Sequence, residues 1–357
     1  MNTHIENLIS MNLIMRNLVT VSILLMLSAC TSCARSERRV PEVGSVMNIM
    51  FYNSENLFDT VDNPDKNDDE FLPSSARRWT NKRYWNKLNN MCKVIAAVDE
   101  ENAPEIVGLC EVENDSVLYD LTCRTQLKTL GYDYVVTDSP DERGINVALL
   151  YKKDFFKMLS YESLPVDLRP AGGSATRDIL HVTGRIVNGD TLDLYVCHWP
   201  SRIGGVEESE PRRRIAAEVA LNSIRKVFEK RRKPYVVLMG DLNEGSDDPA
   251  VRKTLKAHRL AEGEQLDDRE LVTMMDGQTG SYRYEGAWDT YDQFVVSASL
   301  LNELGCTGVD AVEICRLDFV LEEDKKYGGE KPFRTYNGYR YQNGYSDHLP
   351  INLWLHY

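Results

Sequence analysis

Catalysed hydrolysis needs three things: neutralised charge on the substrate, a nucleophilic water, and help for the leaving group. Residue types that meet these needs occur in this chain where apolar runs stop. Asn53 and Glu55 end the run "MNIMFY", Glu111 ends "IVGLC", and His198 ends "LDLYVC". Asp241 and Asn243 end "YVVLMG", while Asp347 and His348 stand just before "LPINLWL". One polar residue at a strand end is ordinary turn chemistry. Five ends furnished in this way describe a site built along one edge of packed sheets, where rigid scaffolds place catalysis. Carboxylate and amide oxygens are the natural ligands of a hard cation. A histidine beside a carboxylate handles protons near neutral pH. Neither GxSxG nor GxxxxGK[ST] occurs, which removes the serine-elbow and P-loop routes.

The elements that must position these residues follow from periodicity. Leu88, Met91, Cys92, Ile95 and Val98 recur at helical spacing and predict an amphipathic helix over 82–99. Val117, Leu118, Leu121, Leu127 and Leu130 predict another, capped by Gly131. Short strands are predicted at 132–136 and 145–151. Asn188-Gly189 marks a hairpin turn between "DILHVTGRIV" and "DTLDLYVCHW". A helix over 212–230 carries Arg212, Arg213 and Arg214, with Arg231 and Arg232 just beyond it, read as a solvated basic face. "DQFVVS" and "LPINLWL" complete the strands, and 61–75 and 322–345 are polar insertions. The reading is one mixed α/β domain without internal repeat.

The 357 residues are 42% hydrophobic and 27% charged, an ordinary globular composition. A net charge of −13 gives no general attraction for nucleic acid or anionic lipid. Any phosphate substrate must therefore be drawn by a cation and a few local arginines. Arg16 precedes "NLVTVSILLMLSAC", a run too short to span a bilayer comfortably. Leu27-Ser28-Ala29-Cys30 resembles a bacterial lipoprotein signal, in which Cys30 becomes the lipidated first residue. The expected organisation is a signal over 1–30, a tether over 31–46 and the domain over 47–357. The expected location is the bacterial cell envelope, the protein being lipid-anchored at the outer membrane and facing the periplasm or the surface. Cys110 and Cys197 fall inside apolar strands and are expected to be core residues. Cys306 and Cys315 could pair in an oxidising compartment, a pairing that spacing alone leaves open.

Taken in order, "FYNSENLF", "EIVGLCEVEN", "CHWPS", "VVLMGDLNE", "YDQFVVSASLL" and "GYSDHLPINLWL" resemble the signatures of the endonuclease/exonuclease/phosphatase superfamily. That group includes DNase I-like and exonuclease III-like enzymes. The resemblance spans about 49–356 and implies a four-layer α/β sandwich, with two mostly antiparallel mixed β-sheets flanked by helices. It implies a Mg²⁺-dependent phosphodiesterase, with Mn²⁺ or Ca²⁺ as alternative ions. Glu111 matches the principal metal ligand, with Asn53 and Asp347 also at the metal. Glu55 falls where relatives often place an acidic residue. Asp241 would activate water and Asn243 would hydrogen-bond a phosphoryl oxygen. His198 and His348 would act at the phosphate. Asp292 is chosen over Asp318 as the carboxylate orienting His348. Arg177, Arg202 and Asn146 resemble substrate-contacting positions. The leading expectation is a monomeric nuclease acting on extracytoplasmic nucleic acid. A phosphatase or phospholipase C-like hydrolase of inositol phosphates, or of another small phosphoester, is the alternative. A non-catalytic binding lipoprotein is the rival from another class.

Overall fold

A computed structural model describes residues 46–99, 102–260, 266–301 and 307–357. Cys30, the tether before Val46 and Cys306 lie outside the described residues. Alternating and fully buried apolar runs become the strands of two large sheets. The first sheet holds β1 (Val46–Leu57), β2 (Ile106–Val112), β3 (Tyr132–Val136), β4 (Asn146–Lys152), β14 (Gly308–Ile314) and β19 (Ile351–His356). Their order is β14-β19-β1-β2-β4-β3, and β1–β2 is the parallel pair.

The second sheet holds β5 (Phe156–Leu164), β6 (Ile179–Ile186), β7 (Thr191–His198), β8 (Tyr235–Asp241), β9 (Ala257–Arg259), β10 (Leu271–Thr273) and β13 (Asp292–Ser297). It runs β5-β6-β7-β8-β13-β10-β9, with β7–β8 and β9–β10 parallel and the other pairs antiparallel. Three small hairpins decorate the rim: β11 (Tyr282–Tyr284) with β12 (Ala287–Asp289), β15 (Leu321–Glu323) with β16 (Glu330–Pro332), and β17 (Tyr336–Asn337) with β18 (Arg340–Tyr341). The last two hairpins give structure to the 322–345 insertion.

The inner faces of the sheets meet through residues such as Phe51, Val237 and Met239. Gly108 makes the approach close, because a Cβ there would lie 2.8 Å from Met239 Sδ. Helix α1 (Asn81–Ala97) covers the first sheet with Leu88, Met91, Val94 and Ile95, close to the span its spacing predicts. Helix α3 (Val206–Lys230) covers the second with Ala216, Ala220, Ile224 and Phe228. Helix, sheet, sheet and helix make the expected four layers. The Asn188-Gly189 turn is present, with Gly189 at φ 93°. Cys110 and Cys197 are buried within β2 and β7.

Three expectations are corrected. The helix expected from Val117 to Leu130 is broken: α2 (Asp115–Tyr119) passes into a π turn and then a 3-10 turn over Gln126–Thr129. The hydroxyls of Thr122 and Thr125 donate back to Leu118 O (2.8 Å) and Leu121 O (2.5 Å), competing with helix continuation. Helix α3 begins at Val206, ahead of Pro211 rather than after it. Its basic residues are not all solvated either. Arg213 is fully buried, bonded to Glu244 and to Ser209 Oγ at 2.8 Å, which ties the helix to the loop after β8.

Candidate active site

Strand register sets the geometry. His198 on β7 is the in-register partner of Asp241 on β8, and Asp241 is the partner of Asp292 on β13. Directly opposed residues of neighbouring strands project from the same face, so three polar groups form one row at the end of the second sheet. The first sheet supplies Asn53 from β1, Glu111 from β2, and His348 just ahead of β19.

Asn53 links the two sheets by donating from Nδ2 to Asp241 Oδ2 (3.1 Å), while its Oδ1 accepts from Glu55 N (3.0 Å). Ser346 donates to Asn53 O (2.7 Å) and accepts from His348 N (3.1 Å), which fixes the approach to β19. The register shifts of β1 against β2 and of β2 against β4 fall beside Asn53 and Glu111, and such irregularities re-aim side chains. Glu55, Asn56, Glu111 and Asn243 all have positive φ, between 49° and 58°. Non-glycine residues held there carry about 1–3 kcal/mol of strain each, and that strain concentrates at functional sites.

Around Asp241 the chemistry is specific. His348 Nδ1 lies 2.7 Å from Asp292 Oδ2, and its Nε2 faces Asp241 Oδ2 at 3.7 Å. Ser281 Oγ also donates to Asp292 Oδ2, and the Tyr282 ring lies 4.8 Å from the His348 ring. Burial alone would lower the His348 pKa, but Asp292 and then Asp241 raise it to about 10. Burial raises the Asp241 carboxyl to about 7 against the pull of His348. His198 Nε2 sits 3.8 Å from Asp241 and 3.9 Å from Glu111. Its pKa falls well below the usual value through burial, helped by Arg177 and Arg143. The two imidazoles are thus pushed in opposite directions.

Asp292, Asp241 and His348 bring ligand atoms within 4.8 Å of one another. His348 Nδ1 is committed to Asp292, however, so this trio is better suited to sharing protons than to holding a hard ion. A divalent cation fits better at Glu111. Its Oε2 is fixed by Asn56 N (2.8 Å), whereas Oε1 has no hydrogen-bond partner among the described residues. Carboxylate oxygens are hard donors of the kind that suits Mg²⁺, Mn²⁺ or Ca²⁺.

The remaining expected residues are near the site but engaged elsewhere. Asn243 donates to Trp199 O (3.1 Å), and its backbone N–H holds Asp241 Oδ1 (2.9 Å). Asn146 donates to Glu113 O (2.7 Å) and accepts from Ser139 N (2.7 Å), bracing two loops. Arg177 is buried on Asp141 Oδ2 (3.3 Å) and Trp199 O (2.7 Å). Arg202 binds Asp248 (2.5 Å) and Asn243 O (2.7 Å) and lies 4.5 Å from the centre of the Tyr291 ring. Asp318 is exposed, and the carboxylate on His348 Nδ1 is that of Asp292. Asp347 is bonded to Arg334 (2.9 Å), which also binds Glu55 (2.9 Å). Arg334 and the buried Lys87 were not singled out from the sequence, and "KPFRTY" carries no local signal for the former. A cavity of about 270 Å³ opens beside Glu55 and Arg334, walled also by Arg77, Trp79 and Tyr336.

Facing sheets thus carry an Asp–His pair and a row of buried polar residues at one edge. The chain belongs to the Endonuclease/Exonuclease/phosphatase family, whose match covers residues 48–357. Its fold is similar to that of a mannosyl-6-phosphatase from Bacteroides thetaiotaomicron (TM-score 0.55, 16% identity, 87% of this chain and 100% of that one). It is also similar to truncated Caenorhabditis elegans TDP2 (TM-score 0.54, 13% identity, 88% and 100%). A D. rerio TDP2 solved with a single-strand DNA product gives a TM-score of 0.51 at 14% identity, covering 87% and 99%. These likenesses concern the fold. No curated protein sequence matches the chain.

Proposed function

We propose that this protein is a Mg²⁺-dependent phosphoester hydrolase whose reaction centres on Asp241. The supporting observation is the placement of that buried carboxylate between a cationic and a neutral histidine, 3.7 and 3.8 Å away. Asp241, its pKa raised to about 7 by burial, accepts the proton of the attacking water. His348, held protonated by Asp292, presents Nε2–H to the phosphoryl oxygen where charge develops. His198, neutral, offers a second ring nitrogen on the same side. Asn243 and Asn53 keep Asp241 in place. A divalent ion bound through Glu111 would neutralise the phosphoryl oxygens.

A small phosphoester is favoured as substrate over a nucleic acid strand. Arg177, Arg202 and Arg334 are all paired with carboxylates, and the net charge is −13. A backbone track needs unpaired cations. The cavity beside Glu55 also has the scale of a single small group. The nuclease reading remains the second one, supported by the DNA product bound to D. rerio TDP2. The test compares the purified protein with Asp241→Asn on sugar phosphates, inositol phosphates, bis-p-nitrophenyl phosphate, plasmid DNA and RNA, with Mg²⁺ or EDTA. Metal-dependent release from small esters, lost in the variant, is expected. Cleavage of DNA or RNA alone would install the nuclease, and no turnover with an intact fold would favour the binding protein. Lipidation at Cys30 belongs to the same proposal: fatty-acid labelling should be present in the full chain and absent from Cys30→Ser.

A further inference from the structure

Five carboxylates converge at the site, and their partners divide them into two groups. Asp292 is committed to His348, while Asp241 and Glu111 face the imidazoles. Glu55 and Asp347 form a separate corner, joined by one side chain. Arg334 donates from Nε to Glu55 Oε1 (2.9 Å) and from Nη2 to Asp347 Oδ2 (2.9 Å). The other Glu55 oxygen accepts the backbone N–H of Thr335 at 2.7 Å. Behind the pair stands the buried Lys87, anchored to Thr335 Oγ1 (2.7 Å) and Tyr345 O. Glu55 is 5% exposed, so bulk water does little to screen this arrangement.

We infer that Arg334 holds the position a second divalent ion would take, so that the protein binds one such ion, at Glu111, and Glu55 is not a metal ligand. A divalent ion shared by Glu55 and Asp347 would need an oxygen from each at about 2.0–2.6 Å. Both Glu55 oxygens are already taken, by a guanidinium and a backbone N–H. Displacing the guanidinium would also leave a cation beside the incoming ion, with Lys87 adding repulsion from below. Arginine suits this role because its planar fork bridges two carboxylates and stays charged at any working pH. Asp347 then acts by orienting Arg334 and by adding negative charge near His348, rather than by closing a two-ion cage.

The inference rests on the metal-dependent reading above, and counting ions separates the two. The full-length protein is titrated with Mn²⁺ alone, with free ion followed by electron paramagnetic resonance and the count repeated by calorimetry. One ion per wild-type chain is expected, and two for Arg334→Met, which unbridges the corner. Arg334→Lys retains a cation there and should stay at one. Two ions in the wild type, or one in a folded Arg334→Met, overturns the inference alone. No ion in the wild type overturns it together with the metal reading. If Arg334→Met does not fold, Glu55→Gln decides: a count of one is expected, and loss of the ion would make Glu55 a ligand.

Discussion

His348 and His198 approach the same Asp241 oxygen from opposite sheets, at 3.7 and 3.8 Å, and both are buried. Their ionisation nevertheless diverges, one raised to about 10 and the other driven well below its ordinary value. Burial works against the cationic form of each. On the first-sheet side it is overcome because Asp292 meets His348 Nδ1 at 2.7 Å. On the second-sheet side His198 Nδ1 has no hydrogen-bond partner among the described residues, and its charged neighbours include Arg177 and Arg143. A carboxylate within hydrogen-bonding reach, rather than depth in the protein, decides which imidazole carries charge.

The strongest way to break this comparison is to remove the shared carboxylate. Asp241→Asn should lower kcat by about 10³–10⁴ while leaving the fold intact, measured on whichever ester the wild type hydrolyses with Mg²⁺. A change of less than tenfold would move the reaction centre elsewhere. Asp292→Asn should cost about 10²-fold in kcat by releasing His348, and it makes a second prediction in pH. His348 has a raised folded-state pKa, about 10 against about 6.5 unfolded. Its contribution to stability is therefore complete below pH 6.5 and is lost as pH rises through 10. Urea midpoints at pH 6, 8 and 10 should fall in the wild type and fall less in Asp292→Asn. Parallel slopes would contradict the pairing.

The alignment of the second sheet can be broken without touching a polar group. A Cβ at Gly240 would lie 2.3 Å from Cys197 O on the neighbouring strand. Gly240→Ala should therefore destabilise by about 1–3 kcal/mol or more and spoil the His198–Asp241 register, detected as a lower urea midpoint with reduced kcat. The smallest effect is expected from His198→Gln, a loss in kcat below the roughly 10²-fold typical of a proton-transferring side chain, with the wild-type fall in stability between pH 6.5 and 10 unchanged. The same variant should resist acid better, because a neutral buried histidine must charge as pH falls. An equal acid response in both proteins would mean that His198 is already charged.

Much of the site was legible because register is local. The runs "LDLYVC", "YVVLMG" and "DQFVVS" become adjacent strands, so the polar residues at their ends fall in one row. Helix α1 and the Asn188-Gly189 hairpin follow from periodicity and turn chemistry in the same way. What escaped depends on contacts that leave no local pattern. Arg334 meets Glu55 across 279 residues, and Lys87 meets Thr335 across 248. Arg213 looked like surface charge because its partner, Glu244, lies in another segment. The break after α2 came from two threonine hydroxyls whose back-bonding outweighed the leucine spacing.

The pairing of β1 with β19 also bears on how the molecule is made. β1 is an interior strand, flanked by β2 and β19, with Val46 opposite His356 and Phe51 opposite Ile351. At about 5–20 residues per second, β19 leaves the ribosome tens of seconds after β1. Throughout that interval one edge of β1, carrying Ile49 and Phe51, lacks its neighbour and is open to wrong pairing. The segment that closes the edge is the one that follows Asp347 and His348. A nascent chain therefore completes its first sheet and its reaction centre in one late event, and a message cut short before it yields a product lacking both.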